Sequence, residues 1–414
     1  MACMIIKTPV LSIDGDVARI SADIVLPDET RTLWFECNRE HADKISTETT
    51  DGFLVATLFI AMSKGLDIVV EGSLSSRLYY NISNYLIELI RNAIPGTKKV
   101  SINAQNLVRQ NWGGTGVFTG FSAGVDSFCT FVEHTDTKCP AEYRVTHFLF
   151  NDVGAHEEGN DKRAEVFSEH LRRMQICSEE WKIPLISVNS NISDVIGGDF
   201  IHTSILRNLA VPLLFQKACS KFLYSSSVHF RDTRASAPNY IDDVDSMAIH
   251  LFSTETIECI SAGGQHLRFE KTEIMAADPR SYRNLDVCIR HDISGKTNCS
   301  WCPKCMRTQL TLEMIGALDK YESVFDFSLY RRFRWLFFCL VMTSDETLLR
   351  ELRRAITERK YPVPISVKWV ARCVPNRIVN LVFYRSMEIK SVNPIKLFVH
   401  IVRMFVKKRV GASL

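Results

Sequence analysis

From residue 116 onward the chain alternates short apolar runs with longer amphipathic ones, and few folds accommodate that rhythm. Strands are expected at 117–121, 144–150, 184–189 and 222–227, with helices at 124–133, 161–181 and 204–220 between them. Short apolar strands separated by helices predict an α/β core, a Rossmann-like parallel sheet covered by helices on both faces. Ligands on such sheets gather at the carboxyl ends of the strands. The first hundred residues read as a small α/β or α+β domain, with strands at 17–24, 32–36 and 66–70 and helices at 52–63 and 78–93. Turn-forming stretches at 95–99 and 111–116 set a boundary between them. Beyond 326 the apolar runs lengthen, as at 333–342 and 395–406, and the pattern becomes mainly helical. The expected organisation is therefore 1–110, 111–325 and 326–414.

The first core strand runs into "FTGFSAGVDSFCTF". In Ser122-Ala123-Gly124-Val125-Asp126-Ser127 the small side chains permit a sharp turn and leave successive N–H groups open. With the positive end of the following helix, those groups make an anion site. Ser122 and Ser127 add hydroxyl donors suited to phosphate oxygens. Asp126 fits such a site if it binds Mg²⁺ carried by the phosphates, or if it caps the helix and fixes the loop. The turn is neither a P-loop, since Gly-Lys-Ser/Thr is missing, nor the dinucleotide fingerprint.

A second feature is "CIRHDISGKTNCSWCPKCMRT". Cys299, Cys302 and Cys305 stand three apart and Cys288 lies upstream, so four thiolates can complete the tetrahedral sulfur shell that Zn²⁺ prefers. His291 is the alternative fourth ligand. Four protein ligands leave no position for water, which predicts a structural zinc. Thirteen cysteines, an odd number without a basic start and apolar leader, argue against a disulfide framework and for a cytoplasmic protein. No stretch approaches the roughly 18 apolar residues of a membrane span. Charge is divided unevenly. Residues 329–414 hold 18 Lys/Arg against 5 Asp/Glu, so within a net charge of +3 the rest stands near −10. The basic segment suits an acidic partner: nucleic acid, another subunit as in a homodimer, or the acidic part of its own chain.

The six-residue turn resembles the pyrophosphate (PP) loop of the N-type ATP pyrophosphatases, whose pattern is Ser-Gly-Gly-x-Asp-Ser after the first strand of a Rossmann-like sheet. Ala123 replaces the first glycine. Together with the cysteine knuckle, the chain from 116 to 318 is similar to 7-cyano-7-deazaguanine synthase and its relatives, and "FLFNDVGAHEEGNDKRAEV", "LRNLAVPLLFQKA", "SSSVHFRDTRASAPNYIDD" and "HLRFEKTEIM" resemble further family stretches. The family's Tyr-Pro-Asp is absent. The resemblance implies that ATP is held by Phe121, Ser122, Ala123, Gly124, Val125, Asp126 and Ser127, with Mg²⁺. It implies a catalytic set of Ser122, Asp126, Ser127 and Lys271, in which Lys271 or Arg207 stabilises developing charge. Substrate contacts would fall to Arg207, Asn208 and Asp232. The implied reaction adenylates a carboxylate or amide, ATP giving AMP and pyrophosphate, for amide or nitrile formation or for conjugation. The acceptor would be a deazapurine-like or other small carboxylate, or a partner protein within a multi-protein pathway or defence system. Two alternatives are sulfur transfer to tRNA, with Cys129 as the thiol nearest the loop, and an ATP-binding scaffold or sensor without catalysis.

Overall fold

The computed structural model of the chain describes residues 2–155, 163–236, 241–288, 295–388 and 394–401. Eleven strands form one sheet: β1 Cys3–Ile6, β2 Val10–Asp14, β3 Val17–Val25, β4 Thr30–Asn38, β5 Asp67–Ser75, β6 Ile102–Val108, β7 Gly116–Gly120, β8 His147–Asp152, β9 Leu185–Ser190, β10 Cys219–Ser225 and β11 Glu258–Ala262. Their order is β11-β10-β7-β8-β9-β4-β3-β1-β5-β6, with β2 added on β3. The block from β11 to β9 is parallel throughout. Numbered by chain position, its five strands lie 3-2-1-4-5, with β7 as the central strand. Its apolar runs are buried residue after residue, as strands covered on both faces must be. By contrast, β3 and β4 alternate buried with exposed residues, the pattern of an antiparallel pair with one wet face.

A cluster of rings fastens the helices to the middle of this sheet. Phe121 stacks on Phe148 at 4.4 Å, and Phe131 stacks on Trp181 at 5.1 Å. Phe128 meets Phe121 and Trp181 at 5.2 and 5.9 Å. Phe121, Phe128, Phe131 and Phe148 are fully buried. The helices Val125–Glu133 and Arg163–Trp181 are thereby pinned to the face of β7 and β8, with edge-to-face and offset contacts adding to the area buried.

The first hundred residues do not form a separate sheet. β4 pairs with β9 through Phe35↔Ser190 and Glu36↔Asn189. Where β9 ends, Asn191 continues the ladder with its side chain: Trp34 N–H donates to Asn191 Oδ1 at 2.9 Å, and Asn191 Nδ2 donates to Thr32 O at 2.9 Å. A buried polar network adds a second tie. The carboxylate of Asp51 accepts from Ser75 N–H (2.9 Å), Ser75 Oγ (2.5 Å) and Gln216 Nε2 (2.8 Å), and Gln216 Oε1 accepts from Thr254 at 2.9 Å. Burial pushes the Asp51 carboxyl up, against those donors. The helix Asp51–Lys64 starts close against the core, since a Cβ on Gly52 would lie 2.8 Å from the Ala210 carbonyl oxygen.

Two compact units emerge: residues 1–122 with 126–265, and 123–125 with 266–414. The sheet lies wholly in the first. The second contains the helices Arg268–Ala277, Pro303–Met314, Phe327–Thr343, Thr347–Glu358, Ile365–Cys373 and Asn376–Glu388. Inside it Glu313 accepts from Tyr330 Oη and Tyr361 Oη at 2.5 Å and pairs with Arg334, whose guanidinium holds that carboxyl below its usual range against the opposing effect of burial. The expected helix over 204–220 is shorter than read. It runs Phe200–Ala210, gives way to a 3₁₀ turn at Pro212–Phe215, and β10 begins at Cys219. Pro212 cannot continue the helical ladder, and there the chain turns back into the sheet. No helix among the described residues is long and apolar enough to cross a membrane. Truncating one ring of the central cluster, Phe148→Ala, is expected to cost about 3–5 kcal/mol of stability, read as a lowered urea midpoint; a loss under about 1 kcal/mol would contradict the role given to the cluster.

Candidate functional site

β7 sits where the strand order reverses, with β8 on one side and β10 on the other. In open α/β sheets that reversal opens a crevice at the carboxyl ends of the strands, and the chain leaving β7 there is the loop 121–127. Phe121 N–H donates to Leu149 O at 3.0 Å and its ring is locked in the aromatic cluster, so the loop departs from a fixed point. Ser122 is exposed and Ser127 buried, and their hydroxyl oxygens lie 3.4 Å apart. Asp126 stands in the first turn of the helix Val125–Glu133.

Ala123 adopts φ 57°, the left-handed region, and is fully buried. Its carbonyl accepts from Asp286 N–H at 2.9 Å. The resemblance places a glycine at this position, and the backbone angle explains why: an L-residue there costs about 1–2 kcal/mol. Burial of the methyl group, about 0.8 kcal/mol, and the lower chain entropy of alanine, about 0.5–1 kcal/mol, offset most of that strain.

Carboxylates gather at the ends of β7 and β10. The phenol of Tyr224, next to last in β10, is pushed well above its usual range by burial and then by Asp242, Asp245 and Asp126. Asp245 accepts from Ser226 Oγ at 2.8 Å and Ser227 N–H at 3.0 Å, and Asp242 accepts from Ser204 Oγ at 2.6 Å. Sequence reasoning missed Asp242 and Asp245. For Asp242 the signal was present in the acidic pair that closes the stretch resembling the substrate loop, and Asp245 lies two residues beyond it.

The expected substrate residues are dispersed in role. Arg207 is fully buried and directs five N–H donors at Thr203 Oγ1, Val153 O, Ser193 Oγ, Gly197 O and Gly198 O, at 2.7–3.2 Å. It braces the segments that follow β8 and β9. Asn208 donates to Ser204 O at 2.9 Å. Asp232, in the turn Phe230–Asp232, pairs with Arg231 at 3.3 Å. Lys271 is buried in the helix Arg268–Ala277 of the second unit rather than lying on its surface. Cys129 is fully buried, with Glu133 Oε2 3.9 Å from its sulfur.

Within the second unit, the sulfurs of Cys288, Cys299, Cys302 and Cys305 lie within 4.8 Å of one another, all buried. The separations Cys288–Cys302 and Cys299–Cys305 are 4.0 and 3.8 Å. A tetrahedron with metal–sulfur bonds of about 2.3 Å has edges of about 3.8 Å, so the four cysteines could hold a metal ion. Backbone N–H groups of Cys299, Cys302 and Cys305 point at the sulfurs of Cys288, Cys299 and Cys302 at 3.3–3.4 Å. Donors from Cys288, Cys299 and Cys305 hold the Cys302 thiol well below its usual range. Ser300, at φ 72°, makes the turn, and its Oγ accepts from Asp326 N–H at 2.7 Å. Asn298, which the sequence pattern did not single out, clamps the arms: it accepts from Val287 N–H at 2.8 Å and donates to Leu285 O at 2.8 Å and Val324 O at 3.3 Å. His291 lies outside the described residues.

Compared with known proteins, the chain matches no family model, no curated protein and no solved structure. Replacing Ala123 by Gly should leave stability within about 1 kcal/mol, because the opposing terms nearly cancel, whereas Ala123→Val, β-branched at a left-handed position, should cost about 2 kcal/mol or more; equal melting temperatures for the two would contradict the backbone reading. Asn298→Ala should weaken metal retention by about 10–100-fold in a chelator competition, and unchanged retention would remove its clamping role.

Proposed function

We propose that the chain is an ATP-dependent synthase or ligase that adenylates a carboxylate or amide, releasing pyrophosphate, as the resemblance to 7-cyano-7-deazaguanine synthase implies. The observation that carries this reading is the position of the Ser122–Ser127 loop at the carboxyl end of the central strand, where the strand order reverses. Phosphate oxygens would take hydroxyl donors from Ser122 and Ser127 and N–H groups from the Ala123–Val125 backbone, with the helix dipole favouring their charge. Mg²⁺ bound with the nucleotide supplies charge neutralisation for the leaving pyrophosphate. Asp126 would hold it, with Asp242 and Asp245 as further acidic groups at the strand ends.

Arg207 acts in this reading by fixing the segments around the acceptor rather than by touching it, since its five donors already have acceptors. Asn208 and Asp232 are then the candidates for contact with the acceptor, a deazapurine-like carboxylate or a group on a partner protein. The cysteine centre would carry zinc as a structural ion, since four sulfurs leave no coordination position for substrate. Sulfur transfer is disfavoured because Cys129, the thiol that chemistry needs near the loop, is fully buried.

Incubated with ATP, Mg²⁺ and an acceptor carboxylate, the protein should release AMP and pyrophosphate, and Asp126→Ala should abolish that release without lowering the melting temperature by more than a few degrees. Release of ADP and phosphate, or full turnover by Asp126→Ala, would overturn the reading. Metal analysis should find about one zinc per chain, lost in Cys302→Ser; a metal-free, folded wild type would remove the zinc assignment while leaving the nucleotide chemistry to be judged by its own products.

A further inference from the structure

Two consecutive helices of the second unit expose the same mixture of side chains. Along Ile365–Cys373, the positions Ile365, Lys368, Trp369 and Arg372 recur at the spacing of one helical face and are all exposed, while Val367 and Val370 are buried behind them. Ile365 is 85% exposed and Trp369 57%. Along Asn376–Glu388, Leu381, Tyr384 and Arg385 occupy the exposed face, with Leu381 at 46% and Tyr384 at 48%, and Ile378, Val379, Val382 and Phe383 buried behind. Each face thus presents an aliphatic chain, an amphipathic ring and at least one cation. Residues 365–388 hold four Lys/Arg against one Asp/Glu.

Each component narrows what could cover these faces. Cations that outnumber carboxylates, with Glu346 near Tyr384 as an opposing charge, favour a polyanion. Single-stranded nucleic acid would use the rings and the cations, but it offers Ile365 and Leu381 only base faces, which they cannot enter as they can acyl chains. An anionic bilayer surface matches all three: acyl chains for the aliphatic residues, the headgroup boundary for Trp and Tyr, and lipid phosphates for Lys and Arg. Because the opposite face of each helix is buried in the unit, each could lie along such a surface and could not insert across it.

We propose that these two faces seat the protein peripherally on anionic phospholipid, through insertion of Ile365, Trp369, Leu381 and Tyr384 and attraction by Lys368, Arg372 and Arg385. The test is cosedimentation of the full chain with vesicles of phosphatidylcholine alone or mixed with phosphatidylglycerol. Binding is expected only to the mixed vesicles, weakening as salt rises. The triple variant Lys368→Gln, Arg372→Gln, Arg385→Gln should lower the partition coefficient on the order of a hundredfold, and Ile365→Ser on the order of tenfold, with melting temperatures unchanged because all four positions are exposed. In wild type, brominated lipid should quench part of the tryptophan fluorescence, and Trp369→Phe should remove that quenching while retaining binding. Three outcomes would each overturn the proposal: equal or absent binding to both vesicle types, binding of single-stranded RNA in place of vesicles with loss in the same variants, or a dimer that these substitutions dissolve.

Discussion

The packing of Phe121, Phe128, Phe131, Phe148 and Trp181 is the constraint on which the candidate nucleotide loop depends. A parallel sheet positions a loop only as well as its strand and the next helix are held, and here both ends of the loop carry rings of one cluster. Phe121 leaves the strand stacked on Phe148, and Phe128 and Phe131 return on the helix. Between these anchors the backbone has little freedom, so it can hold the left-handed angle at Ala123. Strain of that size persists where the surroundings over-determine the conformation. The cluster therefore shapes the loop as well as stabilising the sheet, because it fixes the two ends between which the loop's N–H groups and hydroxyls lie.

The second unit places its own polar groups differently. Its cysteine centre is closed by backbone N–H groups and by Asn298, so the turn geometry is built into the chain before any ion is considered. An ion there would chiefly tie the Cys288 arm to the helix Pro303–Met314, whose N-cap is Cys302. Glu313 on that helix receives two tyrosine hydroxyls and an arginine, which carries the same fixation onward into the helices beyond 326.

Much of the core was legible in the sequence because buried parallel strands leave continuous apolar runs, as β7 and β8 do. The cysteine spacing and the Ser/Gly turn were legible for the same reason: their chemistry is local. Pairing between distant segments was not. β4 meets β9 through Asn189, Ser190 and Asn191, polar residues that no periodicity marks as partners of Thr32–Glu36. The short strands β1 and β11 offer four and five residues, too few to reveal a period. Arg207 illustrates the limit at a single residue: the resemblance assigned it a substrate contact, and only the folded chain shows the carbonyls of Val153, Gly197 and Gly198 and the hydroxyls of Ser193 and Thr203 converging on it. Lys271, to which the resemblance assigns a role in stabilising charge, is buried, and nothing in its sequence neighbourhood marks that burial.

The β4–β9 junction also has a consequence for how the protein is made. Trp34 and Asn191 are 157 residues apart, so during synthesis the first six strands leave the ribosome long before the strand that completes their edge exists. Until then β4 presents an unpaired edge, the surface on which newly made chains associate wrongly. Sheets closed by such distant pairs fold slowly. The interval between emergence of β4 and of β9 is thus the period of greatest exposure, and a cell producing this chain has most reason to shield it then.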